Sequence, residues 1–249
     1  MIKAVNLTRK FGSLTAVDNL NIEIPPGEIF AFLGPNGAGK TTTVKLFTGI
    51  LQPTAGSAVI GNFDLRKNPI EAKSITGFVS DQPYVYPHLT GFEFMRLVGD
   101  IYKVGIDEQK QRIPELLSMF ELSPWAGEMI EAYSHGMKQK LVLASVLLHQ
   151  PKVIFLDEPL VGLDPKSAKM VKEIITRLSA KGVAVFMCTH VLEIAERLAH
   201  RIGIIQNGRI IALGTVEELK KRARQEGTLE ELFLHLTGGS RYSELLELL

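Results

Sequence analysis

Polar and apolar residues alternate near the start of the chain. Leu20, Ile22 and Ile24 alternate with polar neighbours, which is the period of a half-buried strand. The Pro-Pro-Gly sequence at residues 25–27 predicts a turn, and the apolar run over residues 28–33 predicts a buried strand. We therefore expect a small antiparallel β layer that opens the fold, followed by a strand of the core.

Short apolar runs and helical periods then alternate along the chain. Further strands are predicted over residues 57–60, 75–79, 153–156 and 183–188. The last three are apolar enough to lie inside a mostly parallel sheet that is covered on both faces. Helices over about residues 166–180 and 191–199 complete the strand–helix alternation of an α/β core. Asn207 and Gly208 lie between two apolar runs and tolerate positive φ, so they predict a tight hairpin.

A helical pattern interrupts this alternation between about residues 84 and 150, which we interpret as an inserted helical lobe. Thr90 and Glu93 have the spacing of a capping box at a helix start. The expected helix breaks are Pro114, Pro124 and Gly127.

The predicted organisation is one domain over residues 1–214, which includes the lobe, and a charged helical tail over residues 215–249. Gly238 and Gly239 are expected to break the tail. The chain has 28 Lys and Arg against 27 Asp and Glu, a balance that offers no electrostatic footprint for nucleic acid. Its single cysteine, Cys188, fits a reducing compartment. The first residues do not resemble a signal peptide and no apolar run reaches about 20 residues, so we expect a soluble chain.

A glycine-rich loop links the strand over residues 28–33 to a helical stretch, and its sequence matches the phosphate-binding loop. Glycines in such a loop turn backbone N–H groups toward phosphates, and the helix N-terminus adds positive charge. Lys40 is expected to reach the β- and γ-phosphates, and the Thr41 hydroxyl to bind Mg²⁺. The predicted ATP-binding residues here are Gly34, Pro35, Asn36, Gly37, Ala38, Gly39, Lys40, Thr41 and Thr42.

Two adjacent carboxylates, Asp157 and Glu158, end an apolar strand, and ligands of open α/β sheets bind beyond the carboxyl ends of the strands. We expect Asp157 to hold Mg²⁺ through water. Glu158 is then available to orient or deprotonate the water that attacks the γ-phosphate, since phosphoryl transfer depends on positioning and charge stabilisation.

Three further segments follow the order and spacing of the ATP-binding cassette (ABC) ATPases, and with the phosphate loop they cover nearly the whole chain. They are Tyr-Ser-His-Gly-Met-Lys-Gln at residues 133–139, Gly-Leu-Asp at residues 162–164, and His190. The chain thus resembles this family, which implies a P-loop NTPase fold of the α/β class: an N-terminal antiparallel β layer, a RecA-like parallel-sheet core and an inserted helical lobe. It also implies ATP hydrolysis with Mg²⁺.

The resemblance implies roles for five residues. Ser134 and Gly136 would contact the γ-phosphate bound to the opposite chain of a dimer, and Asp164 would cross to the neighbouring site, although it also fits a helix N-cap. His190 matches the switch histidine that contacts the γ-phosphate. Phe11 matches the aromatic residue that stacks on adenine; a core phenylalanine is the alternative.

Two segments depart from the family's commonest pattern. In the signature, His135 replaces a glycine and Met137 a glutamine, a variant found in the branch whose motors serve exporters with separate membrane subunits. In the loop that senses the γ-phosphate and Mg²⁺, alignment places Asp81 at the usual glutamine position, one residue before Gln82. Either side chain offers an oxygen to Mg²⁺, and we expect the Gln82 amide to be the ligand, with Asp81 the alternative.

The resulting hypothesis is the motor subunit of an ABC transporter, with an exporter favoured over an importer. It implies a separate transmembrane permease, pairing as a homodimer or heterodimer, a peripheral position on the cytoplasmic face of the cell membrane, and no direct contact with cargo or nucleic acid. The alternatives are an ABC ATPase of DNA repair or translation, and a regulatory nucleotide-binding module without turnover.

Overall fold

A computed structural model describes residues 1–222 and 228–238 of the chain. Its strands are β1 (Ile2–Phe11), β2 (Leu14–Ile24), β3 (Ile29–Leu33), β4 (Ala55–Ile60), β5 (Phe63–Asp64), β6 (Thr76–Val79), β7 (Val153–Asp157), β8 (Ala184–Cys188), β9 (Arg201–Gln206) and β10 (Arg209–Gly214). Its α-helices are α1 (Lys40–Phe47), α2 (Pro69–Ser74), α3 (Gly91–Ile101), α4 (Ile106–Met119), α5 (His135–Leu148), α6 (Pro165–Ala180), α7 (Leu192–Leu198), α8 (Val216–Arg222) and α9 (Leu229–Thr237).

The strands form two sheets. One is antiparallel, in the order β2-β1-β4-β5, and confirms the predicted N-terminal layer. The other has the order β10-β9-β3-β8-β7-β6, in which only the β9–β10 pair is antiparallel. This confirms the predicted parallel core. Asn207 and Gly208 form the β9–β10 turn with φ of 48° and 78°, as expected for a tight hairpin.

Stacked aromatic rings fix the first helix against the parallel sheet. Phe47 at the end of α1 lies 5.7 Å from Phe155 of β7, with ring planes 14° apart, and 5.5 Å from Phe186 of β8. All three side chains are fully buried. Because α1 follows the phosphate loop and β7 ends in Asp157, this packing holds the two halves of the predicted ATP site in register.

The inserted lobe contains α3, α4 and α5, as the helical pattern predicts. The capping box at the start of α3 is confirmed: the Thr90 side chain accepts from the Glu93 N–H, and the Glu93 side chain accepts from the Thr90 N–H. The expected break at Pro114 is wrong, because Pro114 lies inside α4. Burial of Ile113 and Leu117 on the same helix stabilises α4 despite the backbone hydrogen bond that proline cannot make.

The described part of the tail folds onto the core. Leu229 and Leu232 of α9 are fully buried in the same core cluster as the parallel sheet, and Gln206 Nε2 donates to the Thr237 carbonyl at 3.1 Å. Gly238, with φ of 87°, caps α9 at the predicted break, whereas Gly239 lies outside the described residues. The domain boundary at residue 214 stays a prediction. Within the described ranges, no helix is long and apolar enough to span a membrane.

Candidate active site

A cleft of about 510 Å³ opens beside the phosphate loop. Its volume lies within the range of small-molecule and cofactor sites. Residues from four separate segments meet there, all predicted from the sequence: Phe11, Asn36, Gly37, Gly39, Lys40, Thr41, Thr42, Asp81, Asp157 and Glu158. The cleft lies where β3 and β7 end, as the topology of an open parallel sheet requires.

The phosphate loop is held tightly on one side. Gly39 has φ of 110°, and a Cβ there would lie 2.3 Å from the Ala16 carbonyl oxygen, so only glycine fits. The Ala38 carbonyl accepts a hydrogen bond from the Gly208 N–H at 3.0 Å, which ties the loop to the β9–β10 turn. Lys40 Nζ donates to the Gly34 carbonyl at 2.6 Å, so its ammonium group is already placed within the loop.

Asp157 is an almost buried carboxylate, 4% exposed, at the end of β7. Burial, followed by the nearby Asp81 carboxylate, raises the pKa of Asp157 to about 6 from an ordinary value of 3.8. The Thr41 hydroxyl donates to this carboxylate and opposes the rise. The surroundings therefore favour a positive partner at Asp157.

Glu158 is in direct contact with His190. His190 Nδ1 lies 2.8 Å from Glu158 Oε1, and the Glu158 N–H donates to the Cys188 carbonyl at 2.9 Å. Glu158 has φ of 51°, a left-handed conformation that costs a non-glycine residue on the order of 1–3 kcal/mol and clusters at functional sites. This conformation and the β8 contact aim the carboxylate into the cleft, so the sequence-predicted Glu158 and His190 come together.

The predicted signature residues lie at the start of α5. Ser134 caps α5, its Oγ accepting from the Met137 N–H at 3.3 Å, and Asp164 caps α6, accepting from the Lys166 and Ser167 N–H groups at 3.0 Å. The helix N-cap anticipated from the sequence for Asp164 is thus present. Among the described residues that line the cleft, Ser134, Gly136 and Asp164 are absent.

Comparison with known proteins settles the family. The sequence family described as ABC transporter matches residues 17–161. The chain belongs to the ABC transporter family. It is 35% identical over 222 residues to the linearmycin resistance ATP-binding protein LnrL of Bacillus subtilis, and this match covers 89% of this chain and 71% of LnrL. It is 36% identical over 226 residues to the bacitracin transport ATP-binding protein BcrA of Bacillus licheniformis, covering 90% of this chain and 73% of that protein.

A longer relative is the probable multidrug ABC transporter ATP-binding protein YbhF of Escherichia coli, 35% identical over 240 residues. That match covers 95% of this chain but 41% of YbhF. Among solved structures, an ATP-binding subunit of an ABC transporter superposes with a TM-score of 0.91 at 30% identity, covering 95% of this chain and 99% of that one. A dimeric ATP-binding cassette bound to ADP and Pi superposes with a TM-score of 0.78 at 28% identity, and the match covers 87% of this chain and 99% of that one.

The names of these relatives and the residues of the cleft indicate the same function for the chain. It is an ATP-binding motor of an ABC transporter and an ATP hydrolase, with the P-loop cassette fold that the sequence predicts.

In the predicted sensing loop, Asp81 and Gln82 are both exposed, but only Asp81 is among the residues that line the cleft. The Gln82 N–H donates to Asp81 Oδ1 at 2.8 Å, and the Ser80 hydroxyl donates to the Gln82 carbonyl. These local bonds turn the chain at Gln82. The structure thus brings the alternative residue, rather than the expected amide, beside Asp157.

Other cleft residues were not anticipated. They are Leu14, Thr15 and Ala16 after the β1–β2 turn, and Asn207 and Gly208 after β9. The hairpin at Asn207 was predicted, and its position at the carboxyl end of a core strand was a signal that it would border the site.

A smaller cavity of about 190 Å³ lies beside the phosphate loop, next to His190. Gly34, Pro35 and Asn36 line it together with His190 and with Phe233 of α9. Phe233 was missed, because nothing in the local pattern of a helical tail indicates contact with residues almost 200 positions earlier.

Proposed function

We propose that the chain is the ATPase subunit of an exporter and that it drives a separate transmembrane permease. The observation that carries the proposal is the cleft that holds Lys40, Asp157 and Glu158, with His190 in contact with Glu158. Transport is supported by the relatives named for linearmycin resistance and bacitracin transport, and this disfavours a role in DNA repair or translation. Hydrolysis would power export without cargo touching this chain.

ATP would bind with its phosphates on the loop over residues 34–42. Lys40 and the N–H groups at the start of α1 supply positive charge there, and Phe11 offers an aromatic face to adenine. Phe11 is 42% exposed, which supports a stacking role over the core role that the sequence left open.

The residues around Asp157 fit Mg²⁺. A buried carboxylate whose pKa is raised beside a second carboxylate, Asp81, is stabilised by a divalent cation, and all the donors are oxygen atoms. The residues that would hold Mg²⁺ are Thr41, Asp157 and either Asp81 or Gln82. Bound Mg²⁺ would neutralise charge that develops on the phosphates. Within the described ranges, no set of three or more His, Cys, Asp or Glu side chains could hold a metal ion, so water and phosphate oxygens would complete the coordination.

Glu158 would position the attacking water. Its carboxylate lies in the cleft and accepts from His190 Nδ1, a contact that fixes both side chains. Glu158 would accept a proton from the water as it attacks, and His190, which is 64% exposed, is free to contact the γ-phosphate.

Pairing of two cassettes would complete each site. Ser134, Gly136 and Asp164 lie outside the chain's own cleft, at helix N-termini whose N–H groups favour anions. In a head-to-tail dimer they would face the ATP bound to the other chain, either a second copy or a different cassette. The dimeric cassette bound to ADP and Pi supports this arrangement.

The permease would dock on the lobe, and the motor would then lie on the cytoplasmic face of the membrane. Tyr84 and Tyr86 lead into the lobe and are 80% and 60% exposed. Aromatic side chains of this kind commonly anchor partner surfaces.

The test of the motor assignment is Glu158→Gln, with Glu193→Gln on the exposed face of α7 as the matched control. Hydrolysis should fall by at least about 100-fold, because the general base is lost while size is kept. With ATP and Mg²⁺, size-exclusion chromatography should show an ATP-bound dimer for Glu158→Gln, whereas Lys40→Ala should bind nucleotide weakly and stay monomeric.

Full hydrolysis by Glu158→Gln would refute the catalytic assignment. A Glu158→Gln protein that stays monomeric beside an active wild type would refute the homodimer, and mixing with a second cassette or with the permease would then identify the true partner.

A further inference from the structure

Arg9 lies against the aromatic ring at the adenine end of the cleft. Its Cζ atom is 4.5 Å from the centroid of the Phe11 ring. Its Nη1 donates to the Gln52 carbonyl at 2.8 Å, just beyond the end of α1. The guanidinium group therefore joins Phe11 to the segment that follows α1.

We propose that Arg9 is a positioning residue for the base of the nucleotide, covering one face of the Phe11 ring and leaving the other for adenine. The proposal rests on the adenine-stacking role proposed above for Phe11. Phe11 lines the cleft, and Arg9 is not among the described residues that do. The cation thus backs the ring from outside the nucleotide site.

The backbone of β1 is irregular at this point. The register between β1 and β2 shifts on both sides of Arg9, between Leu7 and Arg9 and again between Arg9 and Lys10. Irregularities of this kind re-aim side chains and are common next to active sites. In a strand without these shifts, the regular alternation of side chains between the two faces would alone set where the Arg9 side chain points.

Arg9 also carries an energetic cost that an ordinary surface arginine avoids. Its Nε is buried and has no hydrogen-bond partner among the described residues. The ring contact and the Gln52 carbonyl are the interactions that offset this cost. A guanidinium group over an aromatic face is attracted by the ring quadrupole, and it draws electron density away from the opposite face. That face then stacks better on an electron-rich purine.

A double-mutant cycle tests the inference. Equilibrium binding of ATP and of tripolyphosphate, which lacks the base, would be measured for Arg9→Met, Phe11→Leu, the double variant and Lys10→Met. Lys10→Met is the matched control, since it removes an exposed neighbouring charge that does not lie over the ring. Thermal unfolding would confirm that each variant is folded.

We expect Phe11→Leu to weaken ATP binding about 5- to 100-fold, on the scale of a lost base–aromatic stack. Arg9→Met should weaken it about two- to fivefold, on the scale of a cation–π contact. The double variant should bind like Phe11→Leu alone. Lys10→Met should bind ATP like the wild type, and tripolyphosphate affinity should be equal in all four variants.

Two results would overturn the role of Arg9. One is an equal effect of Arg9→Met with and without Phe11, which would show that the ring does not mediate it. The other is an equal loss of tripolyphosphate affinity, which would reduce Arg9 to a general positive charge. Unchanged ATP affinity in Phe11→Leu would refute the adenine assignment, and with it the role of Arg9, while the Glu158→Gln test of the motor would stand.

Discussion

Replacing Asp157 with asparagine should stabilise this ABC ATPase while abolishing its Mg²⁺-dependent hydrolysis. The substitution keeps the side-chain size and an acceptor for the Thr41 hydroxyl, and removes only the charge. In the metal-free protein that charge is unfavourable, because burial and then Asp81 raise the pKa of Asp157 to about 6 from 3.8. A residue retained at a cost to stability is expected where function needs the charge.

The size and sign of the effect follow from the pKa. A rise from 3.8 to about 6 corresponds to at most about 3 kcal/mol, and water in the open cleft reduces this to about 1–2 kcal/mol. Below pH 3.8 the folded and unfolded chains both carry the proton, and the stabilising contribution of protonated Asp157 is complete. As the pH rises through 6 the wild type loses this contribution, because the unfolded chain releases its proton first.

The assay is unfolding by urea and by heat in EDTA, at a series of pH values from 4 to 8. The stability gain of Asp157→Asn should be near zero at pH 4 and largest above pH 6, equivalent to a rise in Tm of about 2–8 °C. Asp164→Asn is the control, since hydrogen bonds from Ser167 lower the pKa of that exposed cap, so no gain is expected. A gain that is independent of pH, or a loss of stability at pH 8, would refute the reasoning.

Three further outcomes are expected. Burial lowers the pKa of His149 to about 4, so the wild type should lose stability as the pH falls from 6.5 toward 4. The His149→Phe variant keeps the ring stack on Tyr102 and should lose less stability over this range. Equal shifts of the urea midpoint between pH 7 and 5 in the two proteins would contradict this. Asp81→Ala should lower Mg-ATP hydrolysis more than Gln82→Ala, because Asp81 lines the cleft, and the reverse order would make the amide the metal contact. Joint replacement of Tyr84 and Tyr86 by alanine should spare ATP binding but lower permease-stimulated turnover; stimulation at the wild-type level, or an equal loss in a Trp125→Ala control, would place docking elsewhere.

The core and the nucleotide loop were predictable because their signals are local. An apolar run, a glycine-rich turn and a helix start are contiguous around Lys40, and Asp157 directly ends a buried strand. Parallel-sheet topology then brings the two segments together without further information. The packing of Phe47 of α1 against Phe155 and Phe186 of the sheet could be found only from the structure, because no period in the sequence specifies which rings meet.

Features that depend on distant contacts were not predictable. Helix α4 continues through Pro114 because its buried face packs within the lobe, which outweighs a local preference. Phe233 reaches the cavity beside His190 only because α9 folds back onto the core. Which of Asp81 and Gln82 faces the cleft depends on a local backbone turn. Sequence alignment does not show this turn, because the two residues are adjacent.

The loop from Glu158 to Asp164 connects the chain's own cleft to the helix that would serve the partner's. Glu158 begins it in the cleft, and Gly162, with φ of 77°, lies so close to His135 that a Cβ would be 2.5 Å from the ring. His135 is the first residue of α5, next to the capping Ser134. If Ser134 contacts the γ-phosphate of the second chain in the proposed dimer, any shift of α5 on closure presses on Gly162 and moves the loop that carries Glu158. The glycine at position 162 makes room for the histidine that departs from the family signature. In the proposed dimer, the same contact would make Glu158 of each chain sensitive to nucleotide in the other site.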